Sequence, residues 1–373
     1  MTADTSPEPD DDPGAIGAQL VVEKHLTQGF RMASPIQRLL GSTKNADGDV
    51  EYFMLGADGV IWNVFPDPTS DTGFSAVTTN VPRLADFAFG LTGAGSMLAI
   101  STNSGNSGDE NNEVTSSMRD PGRPWSAAAS ETVPCPHHWY TDVRNYVARL
   151  QTYRCDDGCL FVIAICPHTT QPGCQVWYKA MLGGSLDNER FNNDPVAGGP
   201  FEPYTLQIAP NLWIMGRDAA TAGVITLCDV PTQALFLGGG ALGVNIPQFV
   251  PEGEPQASTF SYDADGMLRA FYTMADGNIY TVAAVADGDT LAAPVPLSTD
   301  GQFRSMPMLQ AVVDGTGTTH LFARSLAPDL YHWTSEAGSE FSSPSVLLEN
   351  CADFFVAVNG AGTVDVAVQT NSP

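Results

Sequence analysis

Basic residues are scarce in this chain. Sixteen Lys and Arg face 42 Asp and Glu, a formal charge of −26, and lysine occurs only as Lys24, Lys44 and Lys179. A surface of that sign repels nucleic acid and anionic membranes, which argues against both as partners; it tolerates neutral or cationic ligands, and its plainest reading is solubility. Long apolar runs are missing too: none approaches the roughly 20 residues that cross a bilayer as a helix. The opening "MTADTSPEPDDDPG" has neither the basic nor the apolar region of a signal peptide. The expectation is a soluble chain, extracellular as a mature form and cytoplasmic otherwise, with residues 1–14 a disordered acidic tail. No stretch keeps a 3.6-residue apolar period over a helical length, which argues against a helical or mixed fold.

Catalytic and metal-binding signatures are equally thin. There is no Gly-x-Ser-x-Gly elbow and no His-Glu-x-x-His. Six histidines are present, yet "CPHHW" and "CPH" (Cys135, His137, His138; Cys166, His168) match no zinc spacing, so neither metal nor cofactor is expected. Seven cysteines are an odd number. Cys155 with Cys159, and Cys166 with Cys174, each flank a turn and invite local disulfides in an oxidising compartment, whereas Cys135, Cys228 and Cys351 leave at least one free thiol.

What the chain has is turns and alternation. Its 36 Gly and 27 Pro are spread along the whole length, which suits one large all-β unit better than two domains with a linker. "LRAFYTMADGNIYTV" shows the pattern: apolar and polar residues alternate into an Asp-Gly pair and out again, the recipe for a hairpin. Asp-Gly recurs at Asp58, Asp265 and Asp314.

A repeat emerges when the strands leaving the turns are aligned. "DGVIWNVF" (Trp62), "GCQVWYKA" (Trp177), "DGNIYTVA" (Tyr280) and "PDLYHWTS" (Tyr331) each place an aromatic after a β-branched or Leu residue, at separations of 115, 103 and 51 residues. These are two, two and one units of about 50 residues, the length of a four-stranded propeller blade. The same rule locates diverged units near 117 and 227, where "NNEVTSSM" and "GVITLCDV" stand. The prediction is a single β-propeller over residues 15–373, seven-bladed with six as the alternative count. Its ring is closed by a C-terminal hairpin, "FFVAVNGAGTVDVAVQT", with partners from "QLVVEKHLTQGF" near the start. A β-sandwich array explains the strands but not the spacing.

"GMLRAFYTMADGNIYTV" resembles the repeat of fungal fucose-binding lectins, and "TTHLFARSLAPDLYHWTSEAGSEFSSP" is similar to the repeat of seven-bladed Psathyrella-type lectins. The first resemblance implies a sugar site made of an Arg, an acidic residue and an aromatic from a neighbouring blade. Arg269 matches the arginine, Thr281 or its neighbour stands at the acidic position, and Glu51 and His320 occupy the arginine position in other units.

Three readings follow. The leading one is a lectin-like propeller that binds a glycan or another small ligand, with Arg269, Tyr272, Tyr280, Trp62, Trp177 and Trp333 as ligand-binding candidates, since aromatic faces take sugar C–H groups and Arg pairs with hydroxyls. The bland reading of the aromatics is that they wedge neighbouring sheets apart. The second is a biosynthetic cyclase on a propeller that has lost its sugar sites, for which His137, His138, Tyr140, Arg154 and Arg269 are the candidate catalytic residues. The third is a protein-binding propeller.

Overall fold

The computed structural model describes residues 36–71, 73–82, 86–102, 113–133, 149–154, 160–167, 174–181, 197–199, 201–208, 211–218, 225–231, 248–249, 255–262, 268–283, 292–303, 308–336 and 339–370. All regular structure among them is β.

The strands form successive antiparallel meanders. The first sheet holds β1 (Ile36–Lys44), β2 (Val50–Gly56), β3 (Val60–Pro66) and β4 (Phe74–Pro82), and the second β5 (Phe87–Leu91), β6 (Met97–Thr102), β7 (Glu113–Arg119) and β8 (Ala129–Thr132). The third holds β9 (Arg149–Arg154), β10 (Leu160–Pro167), β11 (Cys174–Met181) and β12 (Ala197–Gly199), and the fourth β13 (Phe201–Ile208), β14 (Asn211–Asp218), β15 (Ile225–Pro231) and β16 (Gln248–Phe249). The fifth holds β17 (Pro255–Tyr262), β18 (Leu268–Met274), β19 (Ile279–Ala283) and β20 (Val295–Pro296), and the sixth β21 (Leu309–Val313), β22 (Thr319–Arg324), β23 (Leu330–Ser335) and β24 (Ser345–Leu348). The hairpin β25 (Cys351–Val358) and β26 (Val364–Thr370) forms the seventh.

First strands of consecutive sheets lie side by side, and β25 lies beside both β21 and β1, so the sheets run round a ring as in a β-propeller. All six segments aligned by the repeat are third strands of their sheets, including the diverged β7 and β15. Trp62, Trp177, Tyr280 and Tyr331 take one register position, opposite Met54, Ala164, Tyr272 and Ala323. The partner strands expected from Gln19–Phe30 and the acidic tail lie outside the described residues.

The core sits between sheets rather than inside one. Phe53 and Leu55 of β2 meet Phe89, Leu91 and Ala99 of the second sheet, while Tyr52 and Met54 face the other way, with Ala367 of the seventh. Phe53 stacks on Phe89 with centroids 3.8 Å apart. A middle strand buried on both faces reads as a nearly continuous apolar run, and β2 is buried at every position. Fully burying one such Phe contributes about 2–3 kcal/mol.

Side chains close the turns. Asp276 Oδ1 accepts from the Asn278 amide at 2.8 Å, and Asp58 Oδ1 from Val60 at 3.1 Å. The Gly277 that follows Asp276 has φ +82°, which suits only glycine without strain. Turns of three sheets also bond across the sheet boundaries. Gly360 N–H donates to the Gly48 carbonyl (2.9 Å) and Gly315 N–H to that of Gly362 (2.7 Å). A Cβ on Gly360 would lie 2.9 Å from the Gly48 oxygen, and one on Gly315 2.9 Å from the Gly362 Cα, so neither position admits a side chain.

Of the cysteines proposed to pair, Cys155 and Cys159 lie outside the described residues. Cys166 and Cys174 sit one register step apart, opposite Gln175 and Pro167 respectively. Cys351 is a buried free thiol, pushed up to about 12 chiefly by burial.

Candidate functional site

Because the sheets share one frame, equivalent positions can be compared across the ring. The second residue of the second strand is Glu51 in the first sheet, Arg269 in the fifth, His320 in the sixth and Asp365 in the seventh. On the same face of the third strand, two registers further on, stand Asn63, Thr281 and His332. Side chains alternate across a strand, so each pair points into the cleft toward the next sheet.

Between the first and second sheets this space is filled. Glu51 is 2% exposed, accepts two bonds from Arg119 Nη2 (2.6 and 2.5 Å), and accepts a third from Asn63 Nδ2 (3.0 Å). The Arg119 guanidinium lies 4.8 Å from the Phe65 ring and 5.7 Å from that of Trp125. The carboxylate, guanidinium and aromatic faces are therefore mutually satisfied.

Between the fifth and sixth sheets it is open. A cleft of about 490 Å³ is lined by Arg269, Thr281, Leu297, Glu340 and Phe341, among others. Arg269 is half-buried; Nη1 donates to Ser335 Oγ at 3.1 Å and the guanidinium lies 5.3 Å from the Phe341 ring centre. Thr281 Oγ1 donates to the Ala270 carbonyl at 3.2 Å. Ser335 and Phe341 are the counterparts of Arg119 and Trp125. Each ring stands six residues past the strand's last residue, and Ser342 and Ser126 each bond back to that strand, N–H to carbonyl, at 2.8 and 2.7 Å.

A third version lies on the far face of the sixth sheet. His320 bonds His332 (Nδ1 to Nε2, 3.0 Å) and Asp314 (Nε2 to Oδ2, 3.2 Å), and His332 stacks on Phe322 at 4.5 Å. Burial, then the His320 charge, lowers His332 to about 4. Burial works to raise the Asp314 carboxyl, but the bonds from Thr316, His320 and Thr318 outweigh it and hold it below its usual range. A smaller cleft of about 310 Å³ between the seventh and first sheets holds Asp365, raised by burial against an opposing Asn359 bond, and Tyr52, raised by burial and then by Asp365.

The structure thus places the candidates apart. Arg269 lines the open cleft. Tyr272 and Tyr280 stack on each other (5.7 Å) on the opposite face of the same sheet; Tyr272 is buried, and the Tyr280 hydroxyl donates to Asp276 at 2.9 Å. Trp333, 1% exposed, packs against Phe303 in the apolar cluster between these sheets. Trp62 belongs to the first sheet, with its indole N–H buried and unpartnered among the described residues, and Trp177 belongs to the third. Arg154 is exposed at the end of β9, and His137, His138 and Tyr140 lie outside the described residues. No set of three His, Cys, Asp or Glu among the described residues is placed to hold a metal ion. Sequence reasoning did not single out Glu340 and Phe341, although both stand in "SEFSSP" at the end of the segment that resembles the Psathyrella-type repeat.

No protein-family model matches the chain, and no curated protein matches it. Solved structures do. The chain is similar to the BP39L lectin from Burkholderia pseudomallei at 12% identity and a TM-score of 0.59, over 90% of this chain and 96% of that one. It also matches Aleuria aurantia lectin, described as a six-bladed β-propeller with a novel fucose recognition mode, at 10% identity and a TM-score of 0.48 over 88% and 98%. At such identities the likeness is one of fold.

Proposed function

We propose that this propeller is a lectin-like binding protein whose ligand, a glycan or a comparable small molecule, enters the cleft between the fifth and sixth sheets. The observation that carries the reading is the position of Arg269: a half-buried guanidinium over an aromatic ring, lining an open cleft that Glu340 also lines. A cleft of this size suits one or two sugar rings. Phe341 offers the face, Arg269 the donors and Glu340 an acceptor for hydroxyls. The acidic group comes from the neighbouring sheet rather than from the strand carrying Thr281. The equivalent space at Glu51 is occupied by Arg119, which supports one binding cleft rather than a multivalent ring.

Seven blades is the count we favour, with the seventh hairpin completed by the N-terminal segment. A glycan-array screen of the whole chain, with Arg269→Ala as control, tests the function. Binding to a defined sugar that the substitution abolishes supports the reading; silence across the array, or binding indifferent to Arg269, rejects it.

A further inference from the structure

The filled cleft shows what the open one lacks. At the Glu51 position the frame holds an anion, a cation and two aromatic faces; at the Arg269 position it holds a cation and one face, and Ser335 stands where the charged partner would reach in. Among the described residues Arg269 has no carboxylate within ion-pair distance, in a chain whose acids outnumber its bases 42 to 16. Glu340 lines the same cleft but is exposed and makes no such pair. One of the guanidinium's five donors is taken by Ser335, and the planar fork matches a carboxylate bidentately.

We infer that the ligand itself supplies the missing carboxylate, so that the cleft selects an acidic sugar, of the uronic acid class, over its neutral counterpart. The inference rests on the glycan reading for the sugar and on the paired clefts for the charge. The net charge of −26 opposes the approach of an anion. That field is screened beyond about 8 Å at physiological salt, whereas the guanidinium acts at contact, where charge-assisted bonds are about twice as strong as neutral ones.

The test is a calorimetric titration of the whole protein with glucuronate, glucose and benzoate, repeated with Arg269→Gln, which keeps donors but removes the charge. Glucuronate is expected to bind at least about tenfold more tightly than glucose, with Arg269→Gln bringing the ratio close to one. Equal affinity for the two sugars, or a glucuronate preference untouched by Arg269→Gln, overturns the inference and leaves the glycan reading standing. Binding of benzoate alone, lost in Arg269→Gln, upholds the charge and rejects the sugar. No binding of either carboxylate overturns the inference. A thermal melt of Arg269→Gln matching that of the unmodified protein certifies that a loss is not unfolding.

Discussion

The clefts at Glu51 and at Arg269 are built on one frame and hold opposite contents. In the first, an acid from the second strand meets an arginine at the end of the next sheet's third strand, and the space closes. In the second, the second strand carries the arginine, the opposing position is Ser335, and a cleft remains. The difference lies in the charges across the sheet boundary, Glu51 facing Arg119 in one and Arg269 facing Ser335 in the other, since the Ser126 and Ser342 bonds back to their strands and the aromatic six residues on are common to both.

The largest test removes the acid from the closed cleft. Glu51→Ala leaves the largely buried Arg119 without its counter-charge and is expected to lower the unfolding free energy by about 3 kcal/mol. Arg269→Ala should cost less than about 1 kcal/mol. Urea denaturation of both variants checks the contrast, and equal costs would break it. The next test inserts the acid into the open cleft. Ser335→Glu is expected to pair with Arg269 and to weaken ligand binding at least about tenfold, because the frame already accommodates Arg119 at the equivalent place. Retained affinity would show that the charge position is not shared. A smaller effect comes from the ring: Phe341→Ala should weaken binding by about 1 kcal/mol through the lost face, measured by the same titration.

The cleft that carries His320 and His332 sharpens the comparison through pH. The folded value of His332, about 4, lies below the ordinary 6.5. Between those values the unfolded chain binds more protons, so its contribution is complete above pH 6.5 and is lost as pH falls toward 4. His332→Phe is expected to flatten the decline in melting temperature across that window. Comparing melts of the variant and the unmodified protein isolates this from Asp353 and Asp365. Burial raises both carboxyls, whose contribution is instead lost as pH rises.

Much of the architecture was legible because its signals are local. Alternation, the Asp-Gly turns and the aromatic after a β-branched residue located all six third strands, even where the aromatic had been replaced, since a two-residue period survives loss of any single side chain. The cleft was less legible. Arg269 was singled out because it sits within its own hairpin motif, but Ser335 lies 66 residues away, Arg119 lies 68 from Glu51, and Phe341 is further still from Arg269. Spacing within a unit says nothing of what the next unit presents. The tyrosines stand apart from Arg269 for a related reason. Tyr272 and Tyr280 share Arg269's hairpin, yet an odd offset along the strand turns Tyr272 to the other face, and Tyr280 pairs with it there.

The bonds from Gly360 to Gly48 and from Gly315 to Gly362 join neighbouring sheets through peptide groups alone. A seam stitched this way is indifferent to sequence in the clefts beside it, where His320 and Asp365 stand at one and the same address. The seam works like a standard coupling: while the glycines stay bare, each neighbouring cleft is free to acquire its own chemistry without loosening the ring.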